Sequence, residues 1–178
     1  MFNRLPSIPD FMKNILLLIL TFALQQHVYA QQITDANISF TFVAKDVNGT
    51  LEGFTATSTI DWENPENSVI EGAVLSKTIK TGNFLRDWSL KGSTYFNVDD
   101  YPTISFKSTA VKKEGNVLLI DGDLTIKGIT KPISIRFTKT GKKLKGTATL
   151  FSSDFDITIL KKGRISNKVL VRFDLEIA

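Results

Sequence analysis

The chain contains no cysteine and a single histidine, His27. His27 falls in an N-terminal stretch that reads as a cleaved secretory signal. Lys13 supplies positive charge, Ile15 to Leu24 forms a short apolar run, and Val28-Tyr29-Ala30 is a small-residue cleavage site. The run is too short to span a bilayer well, so a membrane anchor is the competing reading. Met12 offers a second start, residues 1–30 are set aside from the fold, and Gln31 is the expected mature N-terminus. The processed chain, residues 31–178, then lacks both histidine and cysteine. It has no Ser-His-Asp or Cys-His nucleophile, no thiolate or imidazole metal site, no disulfide and no cysteine for a lipid anchor. No enzyme activity, metal or cofactor is expected, and the destination is the periplasm or the cell exterior. Losing Arg4, Lys13 and Asp10 leaves 20 basic against 17 acidic residues, a mild excess.

What is present is alternation. Ile38, Phe40 and Phe42 share one face, and Asn48-Gly49 then offers a tight hairpin turn. Phe54, Ala56, Ser58, Ile60 and Trp62 follow in one parity, and a third strand covers about 68–79. Ile104 and Phe106 mark the next; Leu118, Ile120, Leu124 and Ile126 line another. Ile133, Ile135 and Phe137, then Leu144, Ala148 and Leu150, then Val169 to Ile177 with Phe173 inward complete eight strands. One connection, 80–102, is long and contains "GNFLRDWSLKG", a short helix or lid with Phe84 and Trp88 four residues apart. The expected fold is a single all-β domain, an eight-stranded antiparallel barrel whose closure removes exposed edges. A two-sheet sandwich uses the same pattern.

Three basic clusters, at 112–116, 139–146 and 161–164, each surround a glycine and read as solvated hairpin tips. The sharper reading is a positive rim for anionic headgroups. They lack interleaved aromatics, so no nucleic-acid partner is expected. Asp121 and Asp123 share an outward face, and Asp154 and Asp156 suit a turn. Asn37 and Asn48 match the glycosylation pattern weakly. Small residues on the inward face (Ala56, Ser58, Gly122, Gly146, Ala148) are compatible with a narrow apolar tunnel. A barrel of this size is either filled by side chains or holds one slender ligand, and both readings stand on pattern alone.

The segment "GNFLRDWSLKGSTYFNVDDYPTISFKST", followed by "IDGDLTIKGITKPI", resembles the YceI-like family of secreted polyisoprenoid-binding proteins. The matching elements are Arg86-Asp87, Leu90, Tyr95-Phe96, Tyr101-Pro102, Phe106-Lys107-Ser108 and Gly122 to Pro132, with "SSDFDI" near the C-terminus. Ser89 stands where the family often has His, Ser152 where it has Arg, and Asp156 where it has Gly. The resemblance implies a lipocalin-like barrel that holds a polyisoprenoid, isoprenoid quinone or similar amphiphile, for transport, storage or envelope-stress protection. The residues expected to meet that ligand are Phe40, Phe42, Phe54, Ile60, Phe84 and Trp88. The same holds for Phe96, Tyr101, Ile104, Phe106 and Leu124, and for Ile126, Ile135, Phe137, Leu150 and Phe173. Tyr95, Phe96 and Tyr101 are expected to close over one end. The expected partners are the lipid and, transiently, a membrane surface; a homodimer is left open. The alternative is a packed, ligand-free barrel acting as a stress or surface-interaction protein.

Overall fold

The computed structural model describes residues 30–178; the expected signal, all but Ala30, and Met12 lie outside the described residues. Nine strands form one antiparallel sheet: β1 (Ile33–Phe42), β2 (Val47–Leu51), β3 (Thr55–Thr59), β4 (Val69–Leu75) and β5 (Thr103–Glu114). They continue as β6 (Val117–Ile126), β7 (Ile129–Thr140), β8 (Lys143–Phe151) and β9 (Lys168–Ile177). The order is β2-β1-β9-β8-β7-β6-β5-β4-β3. The sheet ends meet. Gln31 and Ile60 exchange backbone hydrogen bonds of 3.0 and 2.8 Å, and Thr50 and Lys80 exchange bonds of 2.9 and 3.1 Å. These isolated bridges tie the two end strands of the sheet into the closed wall and reduce its exposed edges.

The ninth strand corrects the expected count of eight. β2 and β3 occupy one position in the barrel wall, as a single stave broken at Gly53 (φ 73°). Before the break it pairs with β1; after it, with β4. Asn48-Gly49 is not the turn. The chain reverses one step earlier, through a 3₁₀ turn at Val43–Lys45 that ends on Asp46 in the left-handed region (φ 49°). Asn48 pairs with Thr41 inside the ladder and accepts the Thr41 hydroxyl at 2.7 Å. Pattern reading favoured Asn-Gly because it is the common hairpin turn; here that chemistry is met by Lys127-Gly128, both at positive φ, between β6 and β7.

A register shift between Ser108 and Ala110 lets β5 point Ile104, Phe106 and, past the bulge, Val111 into the barrel. One end of the barrel is packed solid. Ile60, Leu118, Ile120, Leu144 and Ile177 are essentially fully buried there. Trp62 seals this floor from outside: the Lys139 ammonium lies 4.1 Å from its ring centroid, and Lys113 donates to its backbone carbonyl. Burial, and the nearby Lys113 charge, lower the Lys139 pKa. Among the described residues no helix is long and apolar enough to cross a membrane.

The floor end also holds an acid-sensitive clasp. The amides of Asn64 (2.8 Å) and Glu63 (2.9 Å) donate to the buried Asp61 carboxylate. The Asn64 amide bond lowers the Asp61 pKa most; burial opposes, and the Glu63 amide and Lys113 charge add to the lowering. A depressed carboxylate pKa means the unfolded chain binds the proton more readily. The stabilisation is therefore complete above the unfolded value of about 3.9 and is lost as pH falls through the folded value. Thermal unfolding midpoints measured against pH should fall below about pH 4, and Asp61→Asn should flatten part of that fall. An unchanged acid limb in the variant would contradict the assignment.

Candidate functional site

Above the floor the interior opens. A cavity of about 560 Å³ runs toward the other end of the barrel, walled by aliphatic and aromatic side chains from all nine strands or their ends. Its volume depends on how the phenylalanines lie. Gly49, Gly122 and Gly146 sit beside Phe40, Phe106 and Phe137 on neighbouring strands. A Cβ at those glycines would fall 2.3, 2.4 and 2.3 Å from the respective ring atoms. Each ring thus lies against the wall over a glycine instead of standing into the lumen. Of the small residues read from sequence as open space, Gly122 and Gly146 are covered by rings, while Ala148 lines the cavity. Phe173, which pairs with Gly146, packs against Phe137 with centroids 5.6 Å apart.

The mouth is built from the long connections. Helix α1 (Phe84–Lys91) starts at Asn83, whose side chain accepts the Arg86 amide at 3.0 Å. The Arg86 guanidinium turns back to Thr81, donating to its hydroxyl (2.6 Å) and its carbonyl (2.7 Å). Asp87 accepts the Thr81 amide at 2.8 Å. Arg86, Thr81 and Leu90 line the cavity, as do Lys45 and Val47. The "SSDFDI" turn contributes Phe155 and Ile157, both buried, because Asp156 between them takes the left-handed conformation (φ 55°). A glycine would serve there at no steric cost. Asp156 is held in place by Lys127, whose ammonium lies 3.1 Å from both its carboxylate and its carbonyl. Ser152 lines the cavity and donates to the Ile157 carbonyl at 2.7 Å.

The expected site residues separate clearly. Phe40, Phe42, Phe54, Phe96, Ile104 and Phe106 line the cavity. So do Leu124, Ile126, Ile135, Phe137, Leu150 and Phe173. Four do not. Ile60 is buried in the floor, below the cavity. Phe84 and Trp88 project into solvent, 80% and 73% exposed. The inward residues of α1 are Arg86 and Leu90, which share the same four-residue spacing two positions on. An apolar pair was taken as the inward stripe, whereas the helix turns a charged side chain to the mouth. Tyr101 covers Gly128 at the β6–β7 turn and stays outside the cavity. Of the expected aromatic plug, Phe96 alone reaches the cavity; Tyr95 packs beside it. Ser89 is exposed, as are Asp121 and Asp123 on the outer wall. Asp154 is gripped by Arg164 through bonds of 2.7 to 3.1 Å, which lower the Asp154 pKa and raise that of Arg164.

The YceI-like domain model matches residues 29–177. A UPF0312 protein of Photorhabdus laumondii is 35% identical over 94 residues, 53% of this chain and 49% of that one. Protein YceI of Shigella flexneri matches equally, so the chain spans about half the length of these curated relatives. Among solved structures, BcnA of Burkholderia cenocepacia superposes with a TM-score of 0.72 at 20% identity, covering 83% of this chain and 99% of that one. The Campylobacter jejuni YceI protein gives 0.62 at 19% identity over 83% and 86%. A polyisoprenoid binding domain from Saccharophagus degradans gives 0.55 at 11% identity over 84% and 97%. These three likenesses establish a shared barrel. With the family model spanning nearly all of the described residues, the chain belongs to the YceI-like family.

Proposed function

We propose that the protein is a carrier which holds the hydrocarbon chain of an isoprenoid lipid, such as a polyprenol or isoprenoid quinone, in its barrel. It acts in the periplasm or outside the cell, consistent with the signal-like residues 1–30. One observation carries the reading: the cavity wall is almost wholly apolar, its two basic lining residues, Lys45 and Arg86, belong with Thr81 to the connections that build the mouth, and its one acidic lining residue, Glu71, pairs with Lys107. This matches an amphiphile with a long tail and one polar head. The volume lies within the range of about 300–1,000 Å³ usual for small-molecule sites. Strands of ten residues rise about 3.3 Å per residue, so the tilted wall is roughly 25 Å tall. An extended isoprenoid can lie along it. A polyisoprenoid binding domain among the structural neighbours supports the ligand class.

Binding, and no chemical step, is the proposed activity. The acidic pairs lie on the outer wall or in an Arg-held turn, and no cluster of potential metal ligands occurs among the described residues. The ligand's alternative home is a membrane, where its tail is already dry, so loading and release run near balance. Contacts from Arg86 and Lys45 to the polar head set the direction. Uptake of a polyprenol delivered from cyclodextrin, followed by displacement of a fluorescent long-chain probe, tests this reading. Saturation at one ligand per barrel is expected, with affinity rising with chain length; Arg86→Ala should weaken retention of an anionic prenyl phosphate more than that of the neutral polyprenol. A probe that is never taken up, or uptake independent of chain length, would contradict it.

A further inference from the structure

We propose that the rim of the cavity mouth is a docking surface for an anionic phospholipid bilayer. The proposal rests on the carrier reading and adds the face through which the carrier meets the membrane. The large apolar side chains exposed among the described residues are not scattered. Phe84, Leu85 and Trp88 stand on α1, at 80, 73 and 73% exposure, while Arg86 and Leu90 of the same helix line the cavity. Ile165 (75%) and Val43 (43%) stand on two 3₁₀ turns, Arg164–Asn167 and Val43–Lys45, which touch each other; Lys45 also lines the mouth. The elements that line the mouth thus also carry outward-pointing apolar side chains.

No residue of α1 is buried, and Phe84, Leu85 and Trp88 are largely exposed. A contiguous exposed patch of this kind marks an interaction surface in a soluble protein. Trp and Phe are side chains suited to the boundary between headgroups and acyl chains. Charge identifies the occupant. Spans 43–46, 84–91 and 161–165 carry six basic residues (Lys45, Arg86, Lys91, Lys161, Lys162 and Arg164) against two acidic ones, Asp46 and Asp87; Arg164 is paired with Asp154, and Asp99 and Asp100 lie in the loop after α1. Asp87 is turned to Thr81, and Lys45, Lys91, Lys161 and Lys162 pair with no acid among the described residues. Basic groups ringed around exposed aromatic and aliphatic side chains fit an anionic lipid surface. The floor end is also rich in lysine, at 112–113 and 142–145, but of the exposed large apolar side chains only Val69 belongs to it. Docking by the mouth lets a lipid tail pass from bilayer to barrel without crossing water, where every exposed CH₂ would be unfavourable.

The two tryptophans make this testable: Trp88 sits on the proposed surface and Trp62 at the opposite end. The protein is mixed with phosphatidylglycerol-rich vesicles, with or without brominated acyl chains, and with pure phosphatidylcholine vesicles. Binding to the anionic vesicles should shift Trp88 emission to the blue and expose it to bromine quenching. In Trp88→Phe, the remaining Trp62 emission should be unaffected. Phe84→Ser with Leu85→Ser should weaken vesicle binding by at least about tenfold, while Lys142→Ala with Lys143→Ala leaves it unchanged. Because those apolar side chains are exposed, the variant should still load polyprenol from cyclodextrin; loss of that loading would count against the carrier reading instead. Three results would overturn the proposal: parent-like vesicle binding by the Phe84/Leu85 variant, no bromine quenching of Trp88, or vesicle binding lost with the floor-end lysines. So would a parent that ignores vesicles but dimerises through α1 in sedimentation, which would assign the patch to a second copy of the chain.

Discussion

Ala148→Trp should reduce ligand loading by more than about tenfold while leaving the barrel folded. Ala148 lies on β8 between Gly146, which is covered by the Phe137 ring, and Leu150. It is 6% exposed and belongs both to the floor cluster and to the cavity wall. An indole there stands on the boundary between packed and open interior and takes up space in the lumen. Overpacking a filled core costs typically about 1–3 kcal/mol. Beside a cavity the cost should sit at the low end, because the new ring gains contacts with the aliphatic wall. Titration with a fluorescent long-chain probe and a thermal melt on the same sample separate the two effects. A variant that loads like the parent would mean that ligand does not enter this part of the barrel.

Leu118→Ala and Leu124→Ala should differ in cost although both lie on β6 and face inward. Leu118 is 0% exposed in the floor, where every direction around it is filled. Its truncation should cost about 2–5 kcal/mol, as deeply buried leucines do. That corresponds to a fall in melting temperature on the order of 5–15 °C for a domain of this size. Leu124 borders the cavity and is only partly buried. It has fewer contacts to lose, so its truncation should cost no more than about 2 kcal/mol. Urea unfolding with an unchanged slope gives the comparison. Equal costs at both positions would mean that the upper barrel is packed as tightly as the floor.

The alternation that made the fold legible is a property of one-sided strands, so it survives wherever one face is buried. Ile104 and Phe106, Leu118 to Ile126, and Ile133 to Phe137 all point inward as their parity requires. The broken stave was not legible because Asn48-Gly49 carries the residues of a hairpin turn, and the glycine's actual task is set by a ring on another strand. Nothing local to residue 49 records Phe40 lying over it. Gly122 and Gly146 mislead in the same way. Each implies space only until the neighbouring ring is known, and register decides which ring that is. The mouth was legible as a resemblance at Arg86-Asp87 but not as a surface. Helix α1 has apolar side chains on the side that faces water, so a rule that apolar faces turn inward gives the opposite orientation. That inversion is itself the feature from which the docking surface is inferred.

Carriage of a lipid tail in the cavity above the floor is the proposed activity. The most direct measurement is mass spectrometry of organic extracts from the protein purified without detergent from its native envelope, with Ala148→Trp prepared in parallel. An isoprenoid species present in near-stoichiometric amount with the parent and depleted in the variant is the expected result. Extracts from parent and variant that are equally free of isoprenoid, or equally loaded with the same lipid, would contradict it.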